Sequence, residues 1–129
     1  METRSPLARK MHLKEGYRAA VLNAPPEYRH MLEPIPDGVQ IDEQLNGQYD
    51  WIWHFAPSRA DLQRDIAGLR ASARPNAAIW LSYRKGTPKA PSDLKRETMW
   101  EVASTAGLEA NSQVAVDETW SALRFKVVE

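Results

Sequence analysis

A chain of 129 residues, 43% apolar and 26% charged, suits one folded domain and leaves no room for two. It has no cysteine, which excludes disulfides and thiolate metal sites and makes the cytoplasm the expected compartment. Seventeen basic residues balance seventeen acidic ones, so the basic excess that drives nucleic-acid binding is missing.

The amino end, Met1-Glu-Thr-Arg-Ser-Pro, lacks the apolar stretch of a secretory signal, and apolar runs throughout fall far short of the roughly 20 residues of a membrane span. Ser5-Pro6 opens a short helix, with Ser as cap and Pro in the first helical position. Leu7 and Met11 share its inner face, and Gly16 is expected to close it. Arg18-Ala-Ala-Val-Leu-Asn23 reads as a buried strand. It stops at Ala24-Pro25-Pro26, where the prolines can begin a helix over Glu27–Leu32. Pro34 and Pro36 exclude helix, Asp37-Gly38 turns the chain, and Val39-Gln-Ile-Asp42 is a brief second strand. Asn46-Gly47 marks another turn.

Tyr49-Asp-Trp-Ile-Trp-His-Phe55 is apolar on both faces, as in a strand covered on both sides. Ser58-Arg-Ala-Asp61 is a capping box with Asp in place of Glu. The helix after it puts Leu62, Ile66, Leu69 and Ala73 on one face and is expected to end at Arg74-Pro75-Asn76. Ala77–Tyr83 is a second two-faced strand. A basic, proline-bearing loop from Arg84 to Pro91 leads to Ser92, the expected cap of a helix over Asp93–Ala106. Its inner face is Met99, Val102, Ala103 and Ala106, and Gly107 closes it. Gln113-Val-Ala-Val116 and Trp120–Val128 are strands joined by a turn at Asp117-Glu118. Strands this close in sequence pair antiparallel, because a parallel pair needs a long crossover.

This order predicts an α/β fold with three Rossmann-like layers, spanning residues 1–129 as a single domain. Its sheet has about six strands, mainly parallel with helices on both faces, and ends in an antiparallel carboxyl-terminal hairpin.

A parallel sheet finished by such a hairpin resembles the S-adenosylmethionine-dependent methyltransferases. Arg74-Pro-Asn-Ala-Ala-Ile-Trp-Leu-Ser82 is similar to the segment that often reads Lys-Pro-Gly-Gly in those enzymes. More closely, Val21-Leu-Asn-Ala-Pro-Pro26, Leu81-Ser-Tyr-Arg-Lys85 and Val116-Asp-Glu-Thr-Trp-Ser-Ala-Leu-Arg-Phe125 resemble a bacterial family catalogued as domain of unknown function 3052. That resemblance implies a fold and carries no activity. The chain departs from methyltransferases after the first strand. They have a glycine-rich turn there, so that the backbone can approach the cofactor. Here the turn is Asn23-Ala-Pro-Pro26, and proline fills that space. A helix–strand pair after the second strand is also missing. Asp42 falls where an acid would hold the cofactor ribose. The expectation is a truncated methyltransferase-like domain with no cofactor.

Ligands of open parallel sheets bind beyond the carboxyl ends of the strands. The candidate ligand-binding residues at that edge are Asn23, Pro25, Tyr83, Lys85, Ser92, Asp93, Lys95, Asp117 and Trp120. The basic loop and the helix start suit an anion. The plainer reading has Ser92 as a cap and the lysines solvated. Trp120 either walls a pocket beside Tyr83 or covers the end of the core. His54 is either a general base served by a nearby Asp or Ser, or a packed histidine with a backbone partner. Trp51, Trp53 and Trp80 read as core. The three histidines lack metal-ligand spacing, and Ser82 lacks a nucleophile-elbow frame, so neither a metal site nor a hydrolase is expected.

Three readings of function follow. The first is a non-catalytic module that binds a small molecule or a protein. The second is an enzyme acting on an anionic small molecule at the Lys85, Ser92, Lys95 and Trp120 edge, with Asp93, Asp117 or His54 as its acid or base. The third is an oligomerisation or scaffold role through an exposed sheet edge such as Val39–Asp42. Neither nucleic acid nor membrane is an expected partner.

Overall fold

The computed structural model describes residues 5–56, 58–84, 95–117 and 119–127. The elements in order are α1 (Pro6–Lys10), β1 (Arg18–Leu22), α2 (Tyr28–Leu32), β2 (Gln40–Asp42), β3 (Tyr49–Ala56), α3 (Arg59–Ala71), β4 (Ala73–Arg84), α4 (Arg96–Thr105), β5 (Leu108–Ala115) and β6 (Trp120–Val127). They build one six-stranded sheet of order β2-β1-β3-β4-β6-β5. The first four strands run parallel, and β6 slots antiparallel between β4 and β5. The expected hairpin therefore closes the sheet, with β5 and β2 as the two outer strands.

Side chains alternate across the strands with a period of two, so each central strand feeds two cores. Ile52, Ala56, Ile79, Leu81, Leu123 and Phe125 pack against α3 and α4. Trp51, Trp53, Phe55, Trp80 and Ala122 pack beneath α1 and α2. Trp51, Trp53 and Trp80 are fully buried, as their two-faced strands predict. Their polar N–H groups still need partners. Trp51 and Trp80 both donate Nε1–H to the Met11 carbonyl, at 2.8 and 3.0 Å, which uses both lone pairs of that oxygen. Trp53 donates to Ser82 Oγ at 2.6 Å. The carboxyl end of α1 is thus hooked to the middle of the sheet.

Local signals set most boundaries. Ser5 Oγ accepts from the Ala8 amide at 3.0 Å, and Ser58 Oγ accepts from the Asp61 amide. Several expectations fail. The fifth strand begins at Leu108 rather than Gln113, and Ala73, expected on the inner face of α3, opens β4. α1 is closed by His12 in the left-handed conformation (φ 58°), while Gly16 serves a later turn. α3 ends at Ala71, and Arg74-Pro75-Asn76 belong to β4 as a bulge, because the register moves from Tyr49↔Ala73 to Trp51↔Ala78. Asn76 there has φ 68°, the conformation a glycine would supply in the similar methyltransferase segment. Finally, α4 begins at Arg96 with Lys95 as its cap, later than expected. Ser92 and Asp93 lie outside the described residues. No helix among the described residues is long and apolar enough to cross a membrane.

Candidate functional site

The carboxyl ends of β1 and β3 meet beneath α3. Leu22 pairs with His54, and the chain leaves β1 at Asn23 in the left-handed conformation (φ 59°), which Asn tolerates better than most residues. This turn folds the Asn23 side chain toward the α3 face. His54 is wholly buried and points the same way, its Nε2 lying 2.8 Å from Asp65 Oδ2 on α3. The Asn23 amide reaches the same oxygen at 3.3 Å. Arg64 closes the group from outside, Nε to Asp65 Oδ1 at 3.0 Å and Nη1 to Asp61 at 3.0 Å.

The electrostatics follow from this geometry. The Arg64 hydrogen bonds hold the Asp65 carboxyl down at about 2, with burial opposing them and His54 assisting. Burial pushes the His54 imidazole below its ordinary value, against the pull of Asp65. The pair is therefore an ionised carboxylate and a neutral imidazole with its proton on Nε2, donated to Asp65. His54 Nδ1 is buried with no hydrogen-bond partner among the described residues. The partner of His54 is thus a nearby Asp, as one of its two sequence readings had it, and not the backbone of the other. Asp65 and Arg64 were not among the residues singled out from the sequence.

Beside this cluster opens a recess of about 370 Å³, lined by Leu22, Asn23, Glu43, Leu45, Arg64 and Asp65. Asp42, the acid expected at the ribose, is engaged within the chain. Its carboxylate accepts from the Tyr49 hydroxyl at 2.6 Å and from Arg18 at 3.3 Å. Tyr49 holds it down first, with Arg18 adding to the effect.

Of the other candidates, Pro25 lies in the turn after β1, half-buried, and its carbonyl accepts from the Tyr28 amide. Tyr83 and Trp120 do not wall one pocket. Tyr83 packs in the core under α3 and α4, and Trp120 on the opposite face of the sheet. Trp120 instead covers the end of the core, edge-on to Phe55 at 5.0 Å between ring centres, with the Arg84 guanidinium over it at 5.7 Å. Asp117 shapes the hairpin tip by accepting from the Thr119 and Trp120 amides at 2.7 and 2.8 Å. Lys95 is exposed at the α4 cap. Lys85, like Ser92 and Asp93, lies outside the described residues. No cluster of metal ligands occurs among the described residues.

This fold is shared with S-adenosylmethionine-dependent methyltransferases. Comparison with solved structures finds a SAM-dependent methyltransferase from Aquifex aeolicus (TM-score 0.67, 13% identity, 95% of this chain and 88% of that one). DhpI in complex with SAH also matches (TM-score 0.64, 11% identity, 95% and 82%). So does an O-methyltransferase family 2 protein from Planctomyces limnophilus bound to apigenin (TM-score 0.64, 8% identity, 88% and 50%). No family model matches the chain, and no curated protein does. At these identities the likeness is one of fold. The edge residues do not fit an adenosyl cofactor held in the glycine-rich manner. Prolines follow Asn23, the Asn23 amide is drawn to Asp65, and Asp42 is turned to Tyr49.

Proposed function

We propose that this chain is a methyltransferase-fold module that works by binding, taking a small ligand or a protein partner at its carboxyl edge without catalysing a reaction. The observation that supports this reading is the mutual engagement of the edge's polar groups. His54 and Asn23 are committed to Asp65, Ser82 to Trp53, and Asp117 to backbone amides. A general base must reach its substrate's proton, and His54, the imidazole at this edge, is wholly buried. The resemblance to domain of unknown function 3052, carried by the Asn23-Ala-Pro-Pro26 turn and the Thr119–Phe125 segment, is part of the same proposal.

Thermal unfolding with S-adenosylmethionine or S-adenosylhomocysteine at about a hundred times a micromolar-range dissociation constant tests it. A bound ligand would stabilise the fold by about 2.7 kcal/mol and raise Tm by roughly 10 °C. An unchanged Tm is expected. A rise of several degrees would overturn the reading and return methyl transfer to first place.

A further inference from the structure

A second recess, of about 670 Å³, lies at the opposite end of the sheet, where α3 finishes and β4 begins. Arg70 from α3, Arg74 and Asn76 from β4, Lys126 from β6 and Glu109 from β5 line it. Three cations from three separate elements converge here, in a chain whose formal charges sum to zero.

Their positions are built by the fold. Arg70 leaves the last turn of α3 and passes across Gly107, so close that a Cβ on that glycine would stand 3.2 Å from the Arg70 Nε. Arg74 is raised by the bulge between Ala73 and Ala78, and one of its nitrogens is held by Asp50 at 2.9 Å. A guanidinium has five N–H donors, so most of those on Arg74 remain for another acceptor. Lys126 stands opposite Glu109 in the β5–β6 register. Among the described residues Arg70 and Lys126 have no carboxylate within ion-pair distance. Asn76, at φ 68°, shapes the rim in the left-handed conformation that Asn tolerates better than most residues. Counted with Asp50 and Glu109, the recess keeps one positive charge in excess, which an anion would offset. Forked guanidinium groups match the oxygens of a phosphoryl group in pairs.

We infer that the recess formed by Arg70, Arg74, Asn76 and Lys126 is a binding site for a phosphoryl anion, a free diphosphate or the diphosphate of a larger ester. The volume exceeds a diphosphate, which leaves space for an organic substituent. Glu109 on the wall disfavours a ligand that brings charge to every side. The site is independent of the carboxyl edge, so its failure would leave the reading of that edge untouched.

The test is calorimetric titration of the whole chain with inorganic pyrophosphate, and separately with ADP, at constant ionic strength. Both Arg70→Gln and Lys126→Gln alter exposed side chains, and the double variant is expected to weaken pyrophosphate binding by roughly tenfold or more while Tm is kept. Arg29→Gln, on α2 at the other face, is expected to bind like the parent. Tighter binding of ADP than of pyrophosphate would assign the site to an ester, and the reverse to free diphosphate; either supports the site. Absence of heat and of any Tm shift for the parent at millimolar pyrophosphate and ADP would overturn it. So would an equal loss in Arg29→Gln, which would mark the binding as general charge screening.

Discussion

Replacing Asp65 with Ala separates two proton-linked contributions to stability. In the parent, Asp65 Oδ2 receives the Nε2–H of a wholly buried imidazole at 2.8 Å. Removing the acceptor strands that donor, a cost of about 1–3 kcal/mol. The Arg64 contacts also hold the Asp65 carboxyl down, though their exposure to solvent reduces their share. A loss of about 2 kcal/mol near neutral pH is expected. The pH profile is the sharper reading. The His54 pKa is depressed in the folded state. As pH falls through about 6.5, the unfolded chain takes up the proton first, and stability declines by up to about 1.4 kcal/mol per pH unit until the folded pKa is reached. Asp65 titrates at about 2 when folded and at about 3.9 when unfolded, so a second decline falls between those values. In Asp65→Ala the lower decline from this group vanishes. The upper one reaches further into acid, because the carboxylate that supported the imidazolium is gone. Urea unfolding followed by tryptophan fluorescence from about pH 8 to pH 2.5 measures both. Parallel profiles for parent and variant, or a neutral-pH difference under about 0.5 kcal/mol, would refute the assignment of charge to this pair.

Trp51→Phe and Trp80→Phe each remove one donor from the Met11 carbonyl and are expected to cost about 1 kcal/mol apiece. The double variant should free α1 selectively, seen as faster amide exchange at Met11 and Leu13, whose amides bond within that turn. Gly47→Ala places a Cβ 2.7 Å from Arg18 Nη1 at a position with φ 101°, so chemical denaturation should show a loss of about 2 kcal/mol. Ser82→Ala leaves the Trp53 N–H buried without its acceptor and should lower stability by about 1–3 kcal/mol, as read by its denaturation midpoint.

The sheet was legible because its central strands are apolar on both faces, a pattern that few other structures produce. The helix faces were legible from spacing, and Leu62, Ile66 and Leu69 are buried as read. What escaped were features set by partners distant in sequence. Asp65 stands on the buried flank of α3, three residues after Leu62 and four before Leu69. An acid at a stripe position was the available signal, and it pointed to a buried partner such as His54. The start of α4 was misplaced because Ser92-Asp93 is a strong local cap signal, whereas the cap, Lys95, makes no side-chain bond to the helix. The close of α1 was misplaced for a related reason. Gly16 is the usual left-handed residue, but His12 takes that conformation, next to a Met11 carbonyl that accepts from the distant Trp51. Tyr83 and Trp120 are both expected at the carboxyl edge of the sheet. The alternation of a strand sends them to opposite faces.

The short β2 also sets what the linker after it can reach. Its last residue, Asp42, stands level with Ala20, whereas β3 begins at Tyr49, further back along the sheet. Residues 43–48 must cross two strand spacings, roughly 10 Å, and step back about the same distance. Their reach of about 20 Å allows this only because β2 stops early. Parallel strands of one sheet ordinarily need a longer crossover, with a helix. Strand length and linker length are thus tied together. Glu43, the acid that directly follows β2, lines the recess at the carboxyl edge beside Asn23, so the early stop of β2 also sets one wall of that recess.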